Sequence, residues 1–352
     1  MFLLIKCSHV RNVYYFLLQT KALTAKLVHF ECDDLFKSVY KKKQTDLILL
    51  DFSKAFDKVH NKLALKLHDY GIIGSALKWV KVFLDNHHQS VIVNGSLYKH
   101  IPVSSGVPQG SVLGPLLFLI YINDLPMNVE SKVRLLADDT ALYVTISTSS
   151  QSEILQKYLD NLERWSHKRE MEFKPSKCQF IHVTRSKNPI PTQYTLHNCI
   201  LQSVSSTKYL GVDISSDISW DTYIDRISKK ANNTLGFLRR NIKIHSESLK
   251  SSAYIILVRL QIEYCSTVWR TFTHSNISKL EAVHRIAARW VKRDYGHTSS
   301  ATYMMQSLHC RRLDQRRIDN ILSRMYKITH NLIDIPISDI IIPLVRHYHS
   351  LS

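Results

Sequence analysis

Three acidic residues stand where the surrounding sequence makes acid costly, and they constrain the fold more than any other feature of the chain. Asp51 ends the apolar run Leu47-Ile48-Leu49-Leu50, which reads as a short buried strand over residues 46–52. Asp138 and Asp139 fall between residues 132–137 and 140–146, two short strands that the pair joins as a hairpin. Adjacent carboxylates repel, so one of them titrates high unless a cation intervenes. A divalent ion held by a few carboxylate oxygens removes that penalty. A strand-end Asp and a hairpin Asp-Asp can share such ions only if their strands are neighbours in one sheet. Read alone, Asp138-Asp139 is far more often an ordinary turn dipeptide than a metal site, and Asp51 merely a strand cap.

The remaining pattern is mixed α/β up to about residues 215–225 and helical beyond. Residues 21–40 read as a helix with Leu23, Leu27 and Phe30 on one face. Helices follow at 61–70, closed by Gly71, and at 75–85. Residues 91–93 and 97–103 flank Asn94-Gly95 as a β-hairpin. A loop over 104–110 leads into a helix reaching about residue 122. A long helix spans 152–168, and strands are expected at 179–184 and 208–214.

The chain has 352 residues, 45% of them hydrophobic, which is enough to build a core. Its formal net charge of +18 points to polyanionic partners. Residues 226–327 hold 20 basic and 6 acidic residues, whereas 1–150 hold 17 and 12. In the basic half, cationic and aromatic residues alternate, as in Phe237-Leu238-Arg239-Arg240 and Arg289-Trp290. Tyr254, Leu257, Val258, Tyr264 and Trp269 read as helix core, with the cations on the wet side. The six cysteines form no CxxC pair and no zinc-finger spacing, so reduced thiols are expected. The apolar start is broken by Lys6, His9 and Arg11, so no membrane span is expected.

Three segments occur in order: Leu49-Leu50-Asp51-Phe52-Ser53-Lys54-Ala55-Phe56-Asp57, then Ser105-Gly106-Val107-Pro108-Gln109-Gly110-Ser111, then Leu136-Ala137-Asp138-Asp139-Thr140. Together they closely resemble the lettered palm motifs A, B and C of reverse transcriptases from non-LTR retrotransposons, of the jockey and chicken-repeat-1 type. The resemblance runs over about residues 20–335. It implies an α+β right-hand polymerase: a palm of antiparallel sheet and helices, followed by a mainly α-helical thumb. On this reading 1–20 is a leader, 21–215 partial fingers and palm, 216–335 a basic helical thumb, and 336–352 a tail.

The resemblance also assigns roles. Asp51, Asp138 and Asp139 look like the metal-binding carboxylates, serving two Mg²⁺ ions, with Mn²⁺ the alternative. Phe56 is similar to the aromatic gate that crowds a ribose 2′-OH. Gln109 resembles the contact to the incoming nucleotide, and Gly106 and Gly110 would let backbone approach it. Lys177 resembles the lysine of the fourth palm motif, which could protonate departing pyrophosphate. Tyr209-Leu210-Gly211 is similar to the hairpin gripping the primer end. The implied partners are an RNA template, a DNA primer and deoxynucleoside triphosphates, inside the cell. Leu136 stands where the family usually has an aromatic residue. Only 50 residues precede Asp51, fewer than the family's fingers region requires, and neither an endonuclease nor a Cys/His knuckle is present. The chain therefore reads as a piece or decayed copy, with a non-catalytic RNA- or single-strand-binding remnant as the second reading.

Overall fold

The computed structural model describes residues 32–59, 62–85, 88–128, 132–269, 271 and 273–333. The expected leader and tail, and residues 21–31 of the first expected helix with Leu23, Leu27 and Phe30, lie outside the described residues. The chain divides between Ser219 and Trp220 into two compact units.

The first unit is organised by a five-stranded sheet. Its strands are β1 (Gln44–Leu50), β2 (Lys132–Leu136), β3 (Asp139–Ile146), β4 (Gln179–Val183) and β5 (Gln202–Ser203), in the spatial order β5-β4-β1-β3-β2. β1 is central and antiparallel to both neighbours, and β5 runs parallel to β4. A central strand covered on both faces reads as a continuous apolar run, as LILL does here, and the polar Gln44, Thr45 and Asp46 at its start are buried with hydrogen-bond partners. Thr45 Oγ1 donates to Ser38 Oγ at 2.7 Å, and Tyr143 Oη donates to Asp34 at 2.7 Å. The helical residues 32–40, here α1, therefore lie on one face. Ile48 and Leu50 enter the core on the other.

Around that core stand α2 (Lys62–Asp69), α3 (Gly74–Asp85), α4 (Leu113–Ile122) and α5 (Ser149–Arg169). α5 begins at a reciprocal capping box between Thr148 and Gln151 and buries Leu155, Leu159 and Leu162, one face at helical spacing. Gly71, with φ of 80°, closes α2, and Ile72 N donates to Leu67 O. The Asn94-Gly95 turn has left-handed φ at both residues and joins Ile92–Val93 to Ser96–Leu97. The hairpin expected over 132–146 forms one residue earlier than the sequence suggests. Leu136 pairs with Asp139, so the turn residues are Ala137 and Asp138 and Asp139 opens β3. The strand expected at 208–214 is instead a second hairpin, β6 (Ser206–Tyr209) and β7 (Val212–Ser215), turning at Leu210-Gly211. Both turn residues have positive φ, which Gly211 accommodates freely.

The second unit is helical: α6 (Asp221–Asn241), α7 (Glu247–Tyr254), α8 (His274–Lys292), α9 (Ala301–Ser307) and α10 (Leu313–Thr329). α7 continues through a π-turn at Ile255–Arg259 into Leu260–Glu263. Tyr254, Val258 and Trp269 are buried as expected, but Leu257 is exposed. The π-turn inserts a residue and rotates the helical period, which turns Leu257 outward. Among the described residues no helix is long and apolar enough to cross a membrane, and Cys32, Cys178, Cys199, Cys265 and Cys310 are free thiols.

Candidate active site

The register of β1 decides the site. Leu50 pairs with Thr140 on β3, and Leu49 pairs with Gln179 on β4. One step further along, Asp51 therefore comes level with Asp139 on one side and with the Lys177–Cys178 segment on the other. Asp138 sits in the turn beside Asp139. Residues distant in sequence thus meet at one end of the sheet. Lys177 Nζ lies 3.5 Å from Asp51 Oδ2. The Asp51 amide faces Cys178 Sγ at 3.5 Å, and Lys174 N donates to Asp51 O at 2.8 Å. Behind Asp51, Phe52 stacks on Phe173 at 4.4 Å between centroids, with Trp165 at 6.2 Å.

The electrostatics follow from this crowding. Partial burial, then the charges of Asp138 and Asp51, push the Asp139 carboxyl up to about 6, opposed by Lys208. Ala137, at the tip, holds a left-handed φ of 54° without glycine's freedom, a conformation that costs an L-residue about 1–2 kcal/mol. The donors are hard carboxylate oxygens, the type a divalent ion takes, and a cation would relieve the repulsion that raises Asp139, but the three carboxylates do not bring their oxygens within 4.8 Å of one another in this arrangement. Because Asp139 binds its proton more tightly folded than unfolded, its contribution to stability is present below about 4 and is lost as pH rises through about 6. Metal-free protein is therefore expected to lose stability across that window, and added Mg²⁺ to restore it. Thermal melts at stepped pH, with and without Mg²⁺, check this; identical pH slopes under both conditions would refute it.

A second cluster forms around the short 3₁₀ turn Ala55–Lys58. Gln109 Nε2 donates to Asp57 Oδ1 at 2.9 Å, and Ser105 Oγ donates to Asp57 O at 3.0 Å. Gly106 N donates to Val59 O at 2.9 Å and Val107 N to Phe56 O at 2.8 Å. The loop of the second motif is thus hydrogen-bonded onto the turn that follows Asp51. Gly106 makes the approach possible: a Cβ there would meet Asp57 Cα at 2.7 Å, at a φ of 95°. Gly106→Ala is expected to destabilise the protein by about 3 kcal/mol, through left-handed strain plus backbone overlap. Urea denaturation measures it, and a change under 1 kcal/mol would show that the approach is not tight. Gly110, with φ of 82°, meets nothing within 4 Å, so only its conformation demands glycine. Phe56 is half-buried and stacks on Phe118 at 4.5 Å. Ser111 Oγ accepts from Gly114 N at 2.9 Å, steadying the start of α4.

The structure therefore gathers Asp51, Asp138, Asp139 and Lys177 at the sheet end, and Phe56, Gly106 and Gln109 around Asp57. Tyr209 is buried, and Leu210 and Gly211 form the turn of the β6–β7 hairpin. Sequence reasoning passed over Lys208, whose charge reaches Asp139, and Asp57, which holds Gln109. Lys208 carried one legible signal, a cation next to the expected grip residues. Asp57 carried none beyond its place in the first motif.

Residues 12–214 match the family described as reverse transcriptase (RNA-dependent DNA polymerase). The chain is 25% identical over 286 residues to a probable RNA-directed DNA polymerase from transposon BS of Drosophila melanogaster, covering 76% of this chain and 31% of that protein. It is 28% identical over 212 residues to the RNA-directed DNA polymerase from mobile element jockey of Drosophila funebris, covering 57% and 23%. The chain thus spans under a third of the length of these relatives. Apo telomerase from Candida Tropicalis aligns with a TM-score of 0.45 and 11% identity, over 86% of this chain and 53% of that one. The chain belongs to the reverse transcriptase (RNA-dependent DNA polymerase) family, of the non-LTR retrotransposon type.

Proposed function

We propose that this chain carries out RNA-templated DNA synthesis, adding deoxynucleotides to a primer 3′-OH inside the cell. The observation that carries the reading is the strand register that brings Asp51 level with Asp139, beside Asp138, in a chain of this family. Asp51, Asp138 and Asp139 would hold two Mg²⁺ ions, with Mn²⁺ as a substitute, which when bound supply a lowered barrier for phosphoryl transfer by activating the attacking oxygen and stabilising the leaving one. The primer 3′-OH gives up its proton to solvent water as its oxygen bonds to the α-phosphorus and the bond to the pyrophosphate oxygen breaks. Lys177, already beside Asp51, delivers a proton to the departing pyrophosphate.

Phe56, buttressed by Phe118, bars a ribose 2′-OH, and Gln109, held by Asp57, faces the nucleotide. Tyr209, Leu210 and Gly211 steady the primer end. In the helical unit the exposed Phe237, Arg239, Arg240, Arg293 and Tyr295 supply phosphate contacts and stacking surfaces.

The test is primer extension on an RNA template with Mg²⁺ and purified protein. Extension supports the enzyme. Absence of extension, with RNA binding that weakens steeply as salt rises, supports a binding remnant instead. Phe56→Ala is expected to raise ribonucleotide incorporation at least tenfold relative to deoxynucleotide, read from product ladders. An unchanged ratio removes Phe56 from the gate.

A further inference from the structure

α5 carries Glu163 and His167 four residues apart, so both project from one face. A two-residue turn at His197 and Asn198, between Thr195–Leu196 and Cys199–Ile200, brings a third donor to the same place. Both turn residues have left-handed φ, 51° and 59°, the pattern of a type I′ hairpin. His197 Nδ1 lies 3.2 Å from Glu163 Oε1, and His167 Nε2 lies 3.9 Å from the same oxygen. The His197 amide donates to Glu163 Oε2 at 3.0 Å, fixing the carboxylate. The two imidazoles meet edge to face, with centroids 5.3 Å apart. His197 Nε2 is buried without a hydrogen-bond partner among the described residues, so Nδ1 is the nitrogen this ring presents. Among the described residues, only this trio of His, Cys, Asp or Glu brings its donor atoms within 4.8 Å of one another.

We propose that Glu163, His167 and His197 form a Zn²⁺ site with water as the fourth ligand, separate from the aspartates at the sheet end. Zn–N and Zn–O bonds of about 2.0–2.2 Å at a tetrahedral angle place donors about 3.3 Å apart. The His197–Glu163 pair already has that spacing. The wider pair closes by a rotamer change of His167, whose side chain is 70% exposed and free to move. Two imidazoles and one carboxylate suit zinc, whereas the all-oxygen donors of the aspartates suit a harder ion.

The ion ties the end of α5 to the 197–198 turn. The segment leaving α5 supplies Glu172 O to Ser53 N at 2.7 Å and Lys174 N to Asp51 O at 2.8 Å. A tie at Glu163, His167 and His197 therefore braces the backbone that carries Asp51.

Zinc titration of the full chain in excess Mg²⁺, against a chromogenic chelator, tests the site. One Zn²⁺ per chain is expected, with affinity falling at least tenfold in His197→Ala and in His167→Ala. A wild-type chain that takes up no zinc, or a His167→Ala/His197→Ala chain that binds as tightly as wild type, overturns the proposal. Zinc-edge X-ray absorption on the wild-type chain reads the ligands without any substitution. Two imidazoles with oxygen ligands are expected, and a sulfur-containing or imidazole-free shell overturns the site even if zinc binds.

Discussion

Asp138→Asn is expected to lower primer extension by 10³-fold or more, while the metal-free protein becomes more stable at neutral pH. The two effects share one cause. A loss of this size corresponds to about 4 kcal/mol of transition-state stabilisation, the scale supplied by ion-assisted phosphoryl transfer. Asn retains the shape of Asp138 but removes a full charge from the donor set. It also removes the neighbour that, after burial, does most to push Asp139 up to about 6. Asp139 then ionises more readily, and the folded state no longer carries the repulsion. Solvent around the exposed turn screens the gain, so the melting midpoint shifts upward only modestly. Single-turnover extension and thermal melts of the same preparations read both effects. Wild-type rates in Asp138→Asn would remove Asp138 from the site, and a lowered midpoint would show that the charge pair does not oppose folding.

Asp46→Ala is expected to destabilise the first unit by about 3–5 kcal/mol, the cost of breaking a buried and fully bonded charged site from one side. Asp46 lies in β1 with none of its surface exposed. His182 Nδ1 sits at 2.9 Å, Gln44 Nε2 donates at 2.8 Å, Thr192 Oγ1 at 2.6 Å and Tyr194 Oη at 2.7 Å. Burial alone would raise the carboxyl; these bonds, led by His182, outweigh it and hold it below its usual range. Alanine leaves four polar groups facing a dry gap, each with its own desolvation cost. Because the folded carboxyl titrates low, its contribution is present above about pH 4 and is lost as pH falls through the lower folded value. Guanidinium denaturation of wild type and Asp46→Ala, at pH 7 and at pH 3, gives the comparison. A difference below 1 kcal/mol at pH 7, or one that grows in acid, would count against the network.

The elements were legible where consecutive residues carry the signal. β1 showed itself through its apolar half, residues 47–50, though the strand starts at Gln44 rather than Asp46; α5 showed through Leu155, Leu159 and Leu162, and the Asn94-Gly95 turn through residues that tolerate positive φ. The errors fell where local and distant preferences compete. Asp-Asp is the better turn dipeptide, yet the turn takes Ala137 and Asp138, because pairing with Leu136 on β2 draws Asp139 into the strand. Leu257 looked like core until the π-turn rotated it out. Asp46 looked like the ordinary start of an apolar run. Besides Gln44 on its own strand, its partners lie on β4 and on the segment near Tyr194, which no local pattern connects to it.

The sequence by itself determined the chemical inventory: the carboxylates, Lys177, Phe56 and the basic helical half, in an order that few families share. It also determined most helices and strands, since periodicity is a property of neighbouring residues. Tertiary structure alone decided which of those residues meet. Strand register is a long-range choice, set by which faces can be buried together, and a slip of one residue would turn every side chain of β1 over. That register sets Asp51 level with Asp139 and Lys177 and puts Asp46 opposite His182.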